Sequence, residues 1–374
     1  MDTTTETHTT SSNPEMTVGV AGFGYWGPNH VRNMVGLEGI GVAMKTVADP
    51  DPVRRMRAAT MFPSVGTVES VNAMIEDDEI DAIVISTPVH THYDLVKDAL
   101  LADKHVLVEK PMTTSVDKAL ELTAIAEERG LTLMVGHTFE YTPAVGYIHD
   151  FIEQDGLGDV LNIRSQRVNL GQHRAKVNVM WDLAPHDISI ILYLLNKMPT
   201  HATALGRAHI NGYVDDIVSL NLEFEDNFMA NIVLSWLDPR KVREMTIIGS
   251  DKMLVYDDTH TIEKIRIYDK GVDVPSEYRS FGEFQVSYRN GDIISPQIEN
   301  FEPLTVQSSH FIECIRTGKT PRSNGASGTR VVQVLAAGQL SLNRGGARTA
   351  LDDPEVMALD GTVRCRPADT EGQT

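Results

Sequence analysis

The sequence predicts an α/β domain with a parallel sheet covered by helices on both faces, followed by an α+β domain built on a largely antiparallel sheet. Three observations carry this. Between Thr17 and His137, short β-branched runs alternate with amphipathic helical segments, the pattern of a parallel sheet with crossover helices. Between about 200 and 270, strand-like runs follow one another with little helix between them, as antiparallel pairing requires. The chain also has 374 residues, more than one ordinary core holds and about right for two domains.

In the first part, TVGVAGFG is a strand ending in glycines, and a helix follows near Asn29 to Val35. GVAMKTVAD is a second strand, PVRRMRAATM a second helix and VESVNAMI a further helical piece. The strong strand AIVISTP precedes the amphipathic HYDLVKDALLA. HVLVEKP is again a strand, VDKALELTAIAEERG a helix closing on Gly130, and LTLMVGH the last strand. The boundary falls near 137–140, giving domains over 16–137 and 138–350.

The second part opens with PAVGYIHDFIEQDGLG, a helix ending in glycines, and VLNIRSQRVNL, a strand. A helix follows WDLAPHD. Then come the strands HATALGRAHI, DIVSLNLEFED, FMANIVLSWL, VREMTIIGS, KMLVYDD and KIRIYD, a loop-rich PSEYRSFGEF, and helices near 304–317 and 328–343. Residues 1–15, polar and rich in Thr and Ser, read as a disordered tail. Residues 351–374 give no clear pattern and are expected to be loosely ordered.

Composition narrows the function. There is no apolar stretch of membrane-spanning length. The amino terminus lacks a basic start and apolar centre. Only Cys314 and Cys365 are present, so no disulfide framework is expected and a cytoplasmic location is. The net charge of −19 argues against nucleic-acid binding. The 13 histidines form no cluster with ligand spacing, so no metal is expected.

Residues 22–27, GFGYWG, place G-x-G-x-x-G at the turn from the first strand into the first helix. In that setting Gly22 allows the tight turn, Gly24 lets backbone N–H groups approach a pyrophosphate, and Gly27 lets helix and strand pack closely. Phe23, Tyr25 and Trp26 complete the loop. Asp49 ends the second strand, where the fingerprint places an acid for the adenosine ribose. A carboxylate there favours NAD over NADP, although Arg54 and Arg55 follow closely. The bland alternative is a plain βα turn with an incidental Asp.

Ser86, Thr87, Pro88 and His92 lie at the end of the third strand, and Glu109 and Lys110 at the end of the next. Ligands bind at such carboxyl ends. Asp182 and His186 stand four apart at the start of the second-domain helix and can share one face. Alternatively, Asp182 is only a helix cap beside a stray histidine.

With GFGYWG, TPVHTH, EKP, GHTFEYTPA and WDLAPHD together, the sequence from about 16 to 345 resembles the Gfo/Idh/MocA family of NAD(P)-dependent oxidoreductases, which act on sugars, cyclitols and nucleotide sugars. The resemblance implies a Rossmann domain followed by a domain with an open, mostly antiparallel sheet, and a homodimer or homotetramer joined through that sheet's open face. It implies that Lys110 contacts the substrate hydroxyl beside the nicotinamide, facing Asp182 and His186. On that footing His186 is the base, Asp182 orients it, and Tyr141 and Asn178 touch the sugar.

Arg164, Arg167, His173, Arg174 and Lys176 form a basic island in an acidic chain, and Arg164, Arg167 and Arg174 are candidate diphosphate contacts. The strings GYWGPNHVRN and KVNVMWDLAPHDIS look most like the family branch that oxidises nucleotide-diphosphate sugars at C3, typified by UDP-N-acetylglucosamine 3-dehydrogenases. Two alternatives stand beside this reading: a dehydrogenase of a free cyclitol or sugar such as myo-inositol, and a dinucleotide sensor without turnover.

Overall fold

The computed structural model describes residues 15–171, 173, 177–210, 212–273 and 287–361. Six strands, β1 (Met16–Ala21), β2 (Val42–Ala48), β3 (Gly66–Val68), β4 (Ala82–Ile85), β5 (His105–Val108) and β6 (Leu133–Val135), form one sheet in the order β3-β2-β1-β4-β5-β6. Every neighbouring pair is parallel. The order reverses between β1 and β4, and a doubly wound sheet opens its ligand crevice at that point. Strand β4 is buried on both faces, which is why AIVI reads as a continuous apolar run.

The crossovers are α1 (Gly27–Val35), α2 (Pro52–Met61), α3 (Val71–Ile75), α4 (His92–Leu101) and α5 (Val116–Arg129). Asp51 caps α2 by accepting a hydrogen bond from Val53 N, and α5 ends on Gly130 in the left-handed region. VESVNAMI is not helical throughout. Val68 closes β3, whose Thr67 and Val68 pair with Val47 and Ala48, and Ser70 caps the short α3.

The second part contributes α6 (Pro143–Glu153), β7 (Val160–Leu170), α7 (Val179–Leu195), β8 (His201–Arg207), β9 (Ile217–Glu223), β10 (Met229–Ser235), β11 (Leu237–Gly249), β12 (Met253–Asp257), β13 (Ile265–Asp273), β14 (Ser287–Ile294), α8 (Pro303–Thr317), α9 (Gly325–Asn343), β15 (Thr349–Ala350) and α10 (Pro354–Met357). Its nine strands run in the order β14-β13-β12-β11-β7-β10-β9-β8-β15. Only β7 and β10 pair in parallel; the other neighbours are antiparallel. Strand alternation splits the sheet into two faces. Ala204, Leu220 and Ile232 point into a core shared with Ile188 and Ile191 of α7 and Val332 and Leu335 of α9. Leu205, Met229 and Val233 lie on the uncovered face. The loop PSEYRSFGEF and residues 1–14 fall outside the described residues.

Two expectations about the second part are corrected. Helix α8 does not stay with the second sheet: Phe311 and Ile312 join Val18, Val20 and Leu107 in the core of the first. Residues 351–361 are docked rather than loose. Val356 of α10 is fully buried, Asp353 caps that helix, and Gly361 N donates to the Thr114 carbonyl. Among the described residues no helix is long and apolar enough to cross a membrane.

Candidate active site

The glycine loop leaves β1 at the switch point, and its backbone explains its composition. Gly22 has φ +92°, and a Cβ there would stand 2.9 Å from the Ser86 carbonyl oxygen. A Cβ on Gly27 would stand 2.2 Å from the Gly22 carbonyl oxygen, so any larger residue would push α1 off the turn. Above Gly24 an added Cβ would meet nothing closer than Arg54 at 3.9 Å. This open cradle at the start of α1 fits the pyrophosphate of a dinucleotide. Ser86 holds it from beneath, its hydroxyl donating to the carbonyls of Ala21 and Gly22.

Asp49 is 1% exposed and pins the loop. Its Oδ2 accepts from Phe23 N at 2.7 Å and its Oδ1 from Asp51 N at 2.9 Å. Phe23 is therefore no cofactor contact. Its ring is fully buried against Phe62, and its N–H is taken by Asp49. Tyr25 and Trp26 are exposed, ring to ring at 5.5 Å, and Trp26 lines the cleft below.

That cleft, of about 140 Å³, lies where Trp26, Ser86, Thr87 and Pro88 face Glu109, Lys110, Trp181 and Asp182. It brings together the ends of β4 and β5 and the first turn of α7. Lys110 spans it: Nζ donates to the Asp182 carbonyl at 2.6 Å and lies 3.9 Å from the Asp182 carboxylate. Glu109 lies behind Lys110. Its Oε1 meets His30 Nε2 at 2.8 Å, and its Oε2 accepts from Lys110 N. Burial works to raise this carboxyl, but the hydrogen bond and charge of His30, with Lys110 beside it, hold it below its ordinary value. His92 lines the floor of the cleft, and its ring nitrogens face the carbonyls of Pro111 at 3.0 Å and Thr87 at 2.8 Å, so it ties the two strand ends together.

Helix α7 begins at Val179, three residues before Asp182, and Asn178 is its cap. The Asn178 side chain is fully buried, accepts from Trp181 N and donates to Gln339. Asn178 is thus a structural cap, not a sugar contact. Asp182 lies in the first turn, and His186 follows one turn on. Burial drives the His186 imidazole well below its ordinary pKa, and the charges of Lys110, Arg167 and Arg243 push the same way. Its Nδ1 is buried without a partner, so no carboxylate of Asp182 orients it there. The ring packs edge-on against Phe139 at 4.7 Å.

Of the basic island, the two described arginines, Arg164 and Arg167, are not brought together. Arg167 is 5% exposed and locked to Asp187, with Nε to Oδ2 at 2.6 Å. The ion pair clamps β7 to α7, and Ser165 adds a hydrogen bond to the same carboxylate. Arg164, three residues earlier on the same strand, points to the uncovered face of the sheet. The two arginines lie on opposite faces and cannot grip one diphosphate. Arg174 and Lys176 lie outside the described residues; His173 is exposed, near Trp236. Tyr141 is also corrected. Its ring is 3% exposed and its hydroxyl is hydrogen-bonded to Ser323, so it belongs to the core.

Sequence reasoning missed four neighbours of this centre. His30 lay in the quoted string GYWGPNH, and His137 and Phe139 in GHTFEY. His137 is fully enclosed beside Lys110, both ring nitrogens lack partners, and burial pushes its pKa down to about 3. The Arg243 guanidinium lies over Phe139 at 5.5 Å, and no local signal marked it.

Residues 16–137 match the model of the Gfo/Idh/MocA oxidoreductase family with its NAD-binding Rossmann fold, and residues 145–255 match the Gfo/Idh/MocA C-terminal domain. The chain is 25% identical over 335 residues to a UDP-N-acetylglucosamine 3-dehydrogenase of Acidithiobacillus ferrooxidans, covering 88% of this chain and 99% of that one. The solved structure of that dehydrogenase superposes with a TM-score of 0.73 at 24% identity, over 88% of this chain and 98% of the other. A scyllo-inositol 2-dehydrogenase of Bacillus subtilis is 24% identical, covering 87% and 94%.

Proposed function

The chain belongs to the Gfo/Idh/MocA family of oxidoreductases and is an NAD(P)-dependent dehydrogenase; from that premise we propose that it oxidises C3 of a nucleotide-diphosphate sugar to the ketone with NAD. The observation that carries the substrate is the likeness to a UDP-N-acetylglucosamine 3-dehydrogenase over 88% of this chain and 99% of that one. The likeness to a scyllo-inositol dehydrogenase over 87% of the chain supports a second reading, a free cyclitol.

Bound NAD would supply the acceptor for the hydride that leaves the carbon being oxidised. Gly22, Gly24 and Gly27 shape the cradle for its pyrophosphate, and Trp26, Ser86, Thr87 and Pro88 line the way to Lys110. Asp49 brings a negative charge to the adenosine end, with Arg54 3.6 Å from its carboxylate; this favours a ribose hydroxyl over a 2′-phosphate and so NAD over NADP.

The substrate hydroxyl sits between Lys110 and His186. A neutral imidazole is required to take its proton, and burial keeps His186 neutral. Lys110 donates to the same oxygen and stabilises negative charge as it develops there. Asp182 acts on Lys110, whose Nζ its carbonyl and carboxylate both face.

The test is NADH formation at 340 nm with NAD or NADP and a panel of UDP-N-acetylglucosamine, UDP-glucose, TDP-glucose, glucose 6-phosphate and myo-inositol. Turnover restricted to a nucleotide sugar and NAD is the expected result. Turnover on myo-inositol alone would replace the substrate and leave the machinery in place.

The protein works as a homo-oligomer in this reading. Leu205, Met229 and Val233 lie exposed on the uncovered sheet face among polar neighbours such as Ser219, Asn221 and Asn231, and a second copy would cover that face. Light scattering is expected to give a dimer or tetramer, and Val233→Asp to shift it toward monomer. A monomeric wild type removes this assignment.

A further inference from the structure

A second cavity, of about 330 Å³, shares no lining residue with the cleft. It lies among α6, α7 and α9. Arg322 is fixed at its wall. The guanidinium lies between the rings of Tyr141, at 5.1 Å, and Tyr193, at 5.0 Å, and donates to the Glu140 carbonyl. Tyr193 in turn stacks on His149 at 4.5 Å. A guanidinium held in this way gives up little freedom when it binds a ligand.

Arg330 enters the same cavity from the first turns of α9. Its side chain is half-buried and makes no hydrogen bond or ion pair with a described residue. The carboxyl facing it is that of Glu140, 3% exposed. Burial pushes Glu140 up to about 8 against the pull of both arginines, so at neutral pH it is largely uncharged. Glu153, the other acid of the lining, is at the exposed rim. The cavity therefore presents two guanidinium groups that no ionised carboxylate neutralises from within. A planar fork of N–H donors is matched by an oxyanion, and phosphate and carboxylate share that chemistry.

We propose that this cavity is a second binding site, for a small metabolite carrying a phosphate or carboxylate group. It adjoins the helix of His186: the Ser189 hydroxyl on its wall donates to the His186 carbonyl. The proposal is independent of which substrate the cleft takes.

The experiment is isothermal titration of inorganic phosphate and, separately, citrate into protein saturated with NADH, so that the dinucleotide's own anion cradle is filled. At least one probe is expected to bind saturably, one per chain. Arg330→Gln should weaken that binding about tenfold or more, roughly the 1.4 kcal/mol of one charge-assisted contact, and Arg330→Lys should recover part of it. The tighter probe identifies the ligand's class. Thermal unfolding and NADH affinity of Arg330→Gln should match the wild type. Absence of saturable binding by both probes, or affinity unchanged in Arg330→Gln, overturns the proposal.

Discussion

Replacing Lys110 or His186 by alanine is expected to lower kcat/KM about 10³-fold, or roughly 4 kcal/mol of transition-state stabilisation, while changing the Kd for NADH by less than about threefold. The split follows from position. Lys110 is at the β5 end of the cleft and His186 on α7, one turn beyond the Asp182 that faces Lys110, whereas the dinucleotide cradle is built at the β1 turn. The two variants combined should cost little more than either alone, because the proton transfer and the charge stabilisation act on one oxygen. The pH profile adds a check with a definite sign. The competent imidazole is neutral, and its folded pKa lies well below 6.5. The acid limb of kcat/KM is therefore expected well below the ordinary imidazole value of about 6.5. Steady-state rates with the best substrate of the panel, and NADH fluorescence titration, measure both quantities. Turnover within tenfold of wild type in both alanine variants would remove these residues from the mechanism.

Acid should destabilise the protein well before its surface carboxylates protonate, and His137 alone should account for about 2 kcal/mol lost between pH 7 and pH 5. The native imidazole, with its pKa lowered to about 3 by burial and by Lys110, stays neutral through this range. In the unfolded chain the same group takes a proton near pH 6.5. Between about 3 and 6.5 the unfolded state thus binds more protons than the native one, so stability rises with pH and falls as acid is added. His92 and His186, buried and shifted in the same direction, add to the loss. Urea unfolding at pH 7, 6 and 5 gives the slope. His137→Asn, which keeps a polar side chain that cannot charge, should flatten it whatever its effect at pH 7. An unchanged slope in that variant would show that the imidazole is not the group titrating.

The dinucleotide cradle was legible in GFGYWG because its demands are local. A turn at φ +92° and a first helical residue whose Cβ would stand 2.2 Å from the turn's own carbonyl are met within six residues, and only glycine meets them. The alternation of strands and helices up to His137 was legible for the same reason: each crossover returns the chain to its neighbour in the sheet. Lys110, between an acid and a proline at a strand end, carried its direction in its own neighbours.

The polar residues that misled did so because their partners are far away in sequence. Tyr141 is consumed by Ser323, Asn178 by Gln339 and Arg167 by Asp187. An unpartnered polar residue and a satisfied one look alike in a string of letters. Strand periodicity alone separates Arg164 from Arg167 by placing them on opposite faces, but only the packed sheet shows which face is covered. Helix α8 returns to the first core because its Phe311 and Ile312 fill space against Val18 and Val20, a fit that no local pattern encodes. By itself, then, the sequence determined the fold class and the glycine loop, and it marked Lys110 and Asp182, which the fold brings to one cleft. Tertiary packing decided which of the remaining polar groups were spent on holding the fold and which were left facing a cavity, because burial and pairing are properties of the assembled chain.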